Sequence, residues 1–235
     1  MVSTVSDNLH DVRRRLEAAA HRVHRPSPPR LIAVSKTFPI DAVREAALAG
    51  QRDFGENRVQ EGLDKIAATT EIGLTWHLIG HLQTNKARKA AGAFQWIHCV
   101  DSLSLLQKLD AGAIEAGTRP QILLQVDLAG EVTKFGVPAA ALNALAVAAM
   151  EATAVQLRGL MIIPPAVDNP EDARPWFAGL RDVRDSLIAG GIPSSALAEL
   201  SMGMSHDFEV AIGEGATMIR VGTAIFGGRP PAAQP

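Results

Sequence analysis

The chain has 235 residues, 47% of them hydrophobic, and a formal net charge of -2 at pH 7. That is enough apolar chain for one large domain or two small ones, and the near-neutral charge gives no electrostatic reason to expect nucleic acid or an anionic membrane as partner. The single cysteine, Cys99, excludes an intrachain disulfide and suits a reducing cytosol, and there is no tyrosine.

Leu9, Val12, Leu16, Ala19, Ala20 and Val23 recur at helical spacing and predict an amphipathic first helix. Pro26-Ser27-Pro28-Pro29 ends it. A short apolar run, Leu31 to Val34, then leads through Ser35 into Lys36, with Pro39 just beyond, and reads as a buried strand ending at Lys36. Helices over Ile40–Ala49 and Arg58–Thr69 flank a strand at Asp53-Phe54-Gly55. Strands follow at Thr75–Ile79, Gln95–Val100, Gln121–Asp127 and Leu157–Ile163, with helices near Asn85–Ala91, over Leu103–Ala116 and from Pro138 to Ala152 between them. Pro170–Ala189 is predicted helical, Leu200–Gly203 a short strand end, Asp207–Ile212 a helix and Thr217–Val221 the last strand. No signal-peptide pattern opens the chain, and the longest nearly apolar stretch, Val137 to Met150, is too short to span a bilayer. A soluble, cytoplasmic protein is expected.

Eight strands alternating with helices predict parallel βαβ units, and eight units in a chain of this length predict an α/β protein, a single-domain (β/α)8 TIM barrel with an extra N-terminal helix. The expected division is residues 1–29 as a helix packing on the barrel, 30–227 as the barrel and 228–235 as a loose tail. Neither GxGxxG nor GxxxxGK[ST] occurs, so the common nucleotide-binding fingerprints are missing.

In such a barrel every strand's C-terminal end faces one mouth. The residues there are Lys36, Asn57, His81, Asp101, Asp127 with Lys134 in its loop, Pro164-Pro165, Ser201 to Ser205, and Arg220 to Thr223. An amine at the end of an apolar strand is partly desolvated, which lowers its pKa and frees its lone pair for a carbonyl. Taken alone, Lys36 fits better a side chain that snorkels to water. The convergence of an amide, an imidazole, hydroxyls and a guanidinium on the same mouth favours the reactive reading. Ser201-Met202-Gly203-Met204-Ser205 and Val221-Gly222-Thr223 are small, hydroxyl-bearing turns after strands seven and eight, the habitual phosphate site of this barrel. An amine opposite a phosphate site describes a ligand with an aldehyde at one end and a phosphate at the other.

Val34-Ser35-Lys36-Thr37, Phe54 to Glu61, Trp76 to Lys86, Leu200 to Asp207 and Ile219 to Gly227 together closely resemble the YggS/PROSC family of pyridoxal phosphate homeostasis proteins, in order along the chain. The resemblance implies a fold type III barrel like the alanine racemase N-terminal domain, with pyridoxal 5'-phosphate (PLP) held as a Schiff base on Lys36. It further implies Asn57 beside the cofactor ring, Arg220 facing the pyridine nitrogen, Ser201, Met202, Gly222 and Thr223 around the phosphate, and His81 and Ser205 near the site. Arg58 stands where relatives often carry tyrosine, Phe38 where they often carry a basic residue, and Lys134-Phe135-Gly136 replaces the more usual Lys-Ser-Gly.

An arginine only donates and leaves the pyridine nitrogen neutral, which disfavours carbanion chemistry. Racemases of this fold use a tyrosine as second base and carry an additional β domain, for which little sequence follows the barrel. The expected function is therefore binding, buffering or delivery of PLP without classical turnover, as a monomer or weak dimer, with apo PLP enzymes as transient partners. A racemase-like enzyme using His81 or Lys134 as second base is one rival; a cofactor-free Schiff-base aldolase is another. Among the remaining polar residues, His77 and His81 do not make a metal pair, because Gly80 breaks the helix it needs. Asp101 and Asp127 read as N-cap and turn residues, Glu56 and Glu61 as solvated or capping, and Cys99 as a buried inert thiol.

Overall fold

A computed structural model describes residues 4–130 and 135–228. Thr4 starts the first helix, α1 (Val5–Arg22), through a reciprocal capping box: its hydroxyl accepts the Asp7 N–H and the Asp7 carboxylate accepts the Thr4 N–H. Leu9, Val12, Leu16, Ala19 and Ala20 form the buried stripe, while Val23, expected on the same face, caps the helix and stays exposed. The chain continues through β1 (Arg30–Val34), α2 (Ile40–Leu48), β2 (Asp53–Glu56), α3 (Val59–Ala68), β3 (Thr75–Leu78), α4 (Ala87–Ala93), β4 (Trp96–Val100), α5 (Leu103–Ala116) and β5 (Gln121–Asp127). It ends with β6 (Val137–Pro138), α6 (Ala139–Met150), β7 (Gln156–Met161), α7 (Arg174–Ala189), β8 (Glu199–Ser201), α8 (Phe208–Gly213), β9 (Met218–Val221) and α9 (Thr223–Phe226).

Among the described residues, eight strands run parallel in the order β4-β3-β2-β1-β9-β8-β7-β5, and β4 pairs with β5, so the sheet closes into a barrel. The two-residue β6 pairs with the end of β5, at Val126 and Asp127. Burial on both faces explains the near-continuous apolar runs of β1, β4 and β5. Most of the core lies between the strands and the outer helices. Ile32, Trp96, Leu123, Met161 and Met218 make a separate small cluster inside the barrel. Above it, toward the C-terminal ends, the interior turns polar: His77, His98, Ser201 and Arg220 are all buried.

The first helix packs on α8, α9 and α2, against the first and last units of the barrel. Asn8 donates to the Ile225 carbonyl at 2.9 Å, and Arg13 Nη1 donates to the Ala49 carbonyl at 2.8 Å. Of the expected tail, only Gly228 is among the described residues. No described helix is long and apolar enough to cross a membrane.

Candidate functional site

The first strand stops at Val34, two residues before Lys36. The Phe38 N–H donates to the Ser35 carbonyl at 3.0 Å, closing a tight turn in which Thr37 takes φ 68°. A positive φ at the third residue of a turn normally selects glycine or asparagine. A threonine there is held by other contacts: the Thr37 N–H donates to Glu61 Oε1 at 2.6 Å. On the other side of Lys36, the Ser35 hydroxyl donates to Glu56 Oε1 at 2.6 Å, and the Lys65 ammonium donates to the Ser35 carbonyl at 2.7 Å. Lys65 also reaches Glu56 Oε1 at 2.7 Å and Glu61 Oε1 at 2.9 Å. The two residues flanking Lys36 are thus tied to one buried ion cluster.

Glu56 is fully buried, not solvated or capping as its place in a loop-like motif suggests, because it is the last residue of β2 and its side chain faces α3. Burial raises its carboxyl pKa against the lowering effect of Lys65 and Ser35. Glu61 likewise serves the turn through Thr37 and Lys65.

Lys36 is half-buried at the mouth of a cavity of about 350 Å³. Asn57, just beyond β2, lines the same cavity, as do Ser205, Arg220, Gly222 and Thr223. Gly80 fits directly under Asn57, where a Cβ would stand 2.4 Å from the Asn57 carbonyl oxygen. The loops after β8 and β9 meet at the far wall. Gly203 takes φ 92°, and a Cβ there would stand 2.6 Å from that of Ala211, so this turn needs glycine. The Met204 N–H donates to Asp207 Oδ1 at 2.6 Å, and the Ala224 N–H reaches the Ser205 hydroxyl at 3.4 Å.

Arg220 is buried at the cavity floor. Its Nη1 donates to Ser201 Oγ at 2.6 Å and its Nη2 to the Ile162 carbonyl at 2.8 Å. Burial pulls the guanidinium down to about 10 against the opposing pull of Asp207, which leaves it protonated at neutral pH. Below Ser201 lie two histidines absent from the expected site. His98 Nδ1 is 2.9 Å from Ser201 Oγ, His98 Nε2 is 3.0 Å from His77 Nδ1, and His77 Nε2 is 3.0 Å from Asp53 Oδ1. Burial lowers both imidazole pKa values, that of His98 strongly, so both rings are neutral despite the nearby carboxylate. A group whose pKa is depressed on folding binds its proton better in the unfolded chain. The stability that neutral His77 and His98 contribute is present above the unfolded pKa of 6.5 and is lost as pH falls through that value toward the folded pKa values. Unfolding free energy is expected to drop below pH 6.5 by up to about 1.4 kcal/mol per pH unit per histidine, and denaturant titrations at pH 7 and 5.5 measure it.

Several expected residues stand elsewhere. Ser201 is not on the cavity wall but under Arg220, and the Met202 side chain packs in the outer core. The exposed His81 ring stacks on Phe135, centroids 3.5 Å apart, faces Asp101 at 3.7 Å, and opens on a neighbouring depression with Arg58 and Lys86. Lys134 lies outside the described residues. Asp127 makes a turn, its Oδ1 accepting from the Ala129 and Gly130 N–H groups, and Ser102 caps α5. Cys99 is buried and its pKa is raised by that burial. Phe38, Ile79, Ile163 and His206 also line the cavity and went unpredicted, while Met204 belongs to the Ser201–Ser205 turn expected at the mouth. Ile79 was within reach of the sequence, because it follows the inward-facing His77 by one strand period.

The chain, a parallel barrel with a lysine in the β1–α2 turn and an arginine on the last strand, is of the alanine racemase N-terminal domain class, whose family model matches residues 8–230. The relatives narrow this. The pyridoxal phosphate homeostasis protein of Pseudomonas aeruginosa is 45% identical over 230 residues, covering 97% of both chains, and that of Escherichia coli K12 is 42% identical over 239 residues, covering 97% of this chain and 98% of the relative. The chain belongs to the pyridoxal phosphate homeostasis protein family. PipY of Synechococcus elongatus PCC7942, solved with PLP bound, superposes with a TM-score of 0.84 at 44% identity, covering 95% of this chain and all of that one. An alanine racemase from Clostridium difficile 630 shares the fold alone, with a TM-score of 0.73 at 15% identity, and this chain spans 58% of its length.

Proposed function

We propose that this chain binds pyridoxal 5'-phosphate through a Schiff base on Lys36 and serves to hold, buffer and hand on the cofactor. One observation carries the reading: an amine, Lys36, and a set of phosphate-compatible donors, Ser205, Gly222 and Thr223, border the same cavity of about 350 Å³, which the buried Arg220 lines as well. The size lies within the range of cofactor sites. The donor set suits a ligand with an aldehyde, an aromatic ring nitrogen and a phosphate. Lys36 would supply the covalent attachment, Asn57 would lie beside the ring, Arg220 would donate to the ring nitrogen, and the Ser205 and Thr223 hydroxyls with the Gly222 backbone would hold the phosphate. Ser201 acts from beneath, through Arg220. Met202 stands off the cavity: its side chain is in the core and its N–H donates to the Met218 carbonyl at 3.2 Å.

When bound, PLP offers an electron sink to an attached amino acid, and the depth of that sink depends on a protonated ring nitrogen. Arg220 does not provide one: it is protonated, anchored on two acceptors, and has only hydrogens to offer. The sequence has no tyrosine to act as a second base. His81, the remaining described candidate for that role, is turned away onto Phe135. These features support a carrier over a racemase. The relatives' names support the same role, as does the PLP in PipY. Transient contact with apo PLP enzymes, a monomeric or weakly dimeric state and a cytoplasmic location complete the proposal.

The test is the visible spectrum of the purified protein after PLP is added, followed by borohydride reduction and peptide mass analysis. A visible band that reduction bleaches, with the cofactor's mass on the Lys36 peptide and no band in Lys36→Ala, is the expected result. A protein that stays colourless, or a band that survives unchanged in Lys36→Ala, overturns it.

A further inference from the structure

Five side chains from five strands form a continuous line through the barrel interior: Arg220 on β9, Ser201 on β8, His98 on β4, His77 on β3 and Asp53 on β2. Hydrogen-bond capacity fixes its direction. Arginine only donates, so Ser201 Oγ accepts from Arg220. Asp53, as a carboxylate, only accepts, so His77 must present Nε2–H to it. A neutral ring protonated on Nε2 has its lone pair on Nδ1, so His77 accepts there, and His98 must donate from its own Nε2–H. That leaves His98 Nδ1 as an acceptor, and the Ser201 hydroxyl donates to it. Every donor meets an acceptor in this one arrangement. Reversing either neutral ring sets two lone pairs, or two hydrogens, face to face in a buried site, which is costly.

The surroundings support neutrality of the middle of the line. Both imidazoles are fully buried, and His77 stacks on Trp96 with ring centroids 5.7 Å apart. The charges that face them sit at the ends: Arg220 above; below, Asp53 with Arg30, whose guanidinium is 3.8 Å from the Asp53 carboxylate and lies over Trp96; Glu199 also bears on His77.

We propose that His77, His98 and Asp53 are positioning residues: by holding Ser201 as an acceptor toward Arg220, they fix the plane of the guanidinium that meets the cofactor's ring nitrogen. The part concerning the cofactor rests on the function proposed above. The donor line itself does not. With Nη1 on Ser201 and Nη2 on the Ile162 carbonyl, the guanidinium has two anchors below, and the remaining N–H groups are presented in a set direction. Loss of the acceptor state of Ser201 frees one anchor.

Two measurements test it. Long-range nitrogen–proton NMR on the histidine-labelled full chain without PLP is expected to show His77 and His98 as neutral Nε2–H tautomers at pH 7. Either ring found as the Nδ1–H tautomer or as imidazolium overturns the proposal, whether or not PLP binds. Second, His98→Leu removes both bonds of that ring, while His98→Gln keeps an acceptor for Ser201 and a donor for His77. PLP affinity is expected to fall roughly tenfold in the leucine variant, with a shifted visible band, and to recover to within about threefold in the glutamine variant. Unchanged affinity and band in a folded His98→Leu protein overturns the positioning role. If His98→Leu does not fold, the tautomers in the unmodified chain still decide. Correct tautomers in a protein that forms no band leave the donor line standing and remove the cofactor reading.

Discussion

Replacing Lys65 by methionine is expected to destabilise the fold by about 3–5 kcal/mol at neutral pH, the usual cost of removing one partner of a buried ion pair. Lys65 is 7% exposed, and its ammonium spends its three hydrogens on Glu56 Oε1, Glu61 Oε1 and the Ser35 carbonyl. Without it, the fully buried Glu56 keeps one donor, the Ser35 hydroxyl, and its Oε2 already has no hydrogen-bond partner. The loss has a predictable pH dependence. Burial raises the folded pKa of Glu56 above its ordinary 4.5, so the folded chain holds that proton where the unfolded chain releases it. The contribution of Glu56 to stability therefore falls as pH rises above 4.5, opposite in sign to that of the two histidines, and losing Lys65 steepens the fall because its opposing charge is gone. Lys65→Met should accordingly be closer to the unmodified protein at pH 5 than at pH 7, and Lys65→Met with Glu56→Gln should regain part of the deficit. Denaturant unfolding of the four proteins at both pH values measures this. A cost under about 1 kcal/mol at pH 7, or one indifferent to pH, would show that the cluster is not a buried ion network. Because Lys65 and Glu61 hold the residues on either side of Lys36, the same variant should also bind PLP more weakly.

Gly159→Ala is the second large effect. Gly159 pairs with Glu199 across β7 and β8, and a Cβ at this position would stand 1.8 Å from the Glu199 carbonyl oxygen and 2.6 Å from its carbonyl carbon. Both are backbone atoms, so no side-chain rotation relieves the clash. The two strands have to separate by more than an ångström, and β8 has three residues with which to absorb the shift. Overpacking that moves backbone costs about 3 kcal/mol, which for a chain of this size lowers Tm by roughly 10 °C. Ser201 ends β8, so the displacement also reaches the acceptor of Arg220. Gly92→Ala is the control: its Cβ would come no closer than 3.3 Å to the Ala116 Cβ in a helical segment, and a change within about 1 kcal/mol is expected. Equal melting temperatures for Gly159→Ala and the unmodified chain would refute the close strand approach.

The barrel was legible because parallel strands buried on both faces leave short apolar runs punctuated by Gly, Pro and polar residues. Val5–Arg22, Leu103–Ala116 and Gln121–Asp127 fall within a few residues of their predicted bounds for this reason. Lys36 and Arg220 were legible as strand-end residues. The conformation at Lys36 was not. Its turn puts a threonine at φ 68°, against local preference, and the restraint comes from Glu61 and Lys65, about 25–30 positions away. The same limit hid Glu56, whose neighbours in sequence look loop-like although its neighbours in space are Ser35 and Lys65.

What sequence alone determined is the alternation of eight strands with helices and the set of polar types that a closed barrel must bring to one mouth, since local periodicity and punctuation record both. What the tertiary structure decided is which of those residues meet. Closure of β4 on β5 and of β1 on β9 brings Asp53, His77, His98, Ser201 and Arg220 into one buried line, moves Met202 into the core and leaves His81 outside the cavity. Hydrogen-bond partners 19 to 103 positions apart leave no periodic trace in a chain; only the packing of strands against one another selects them.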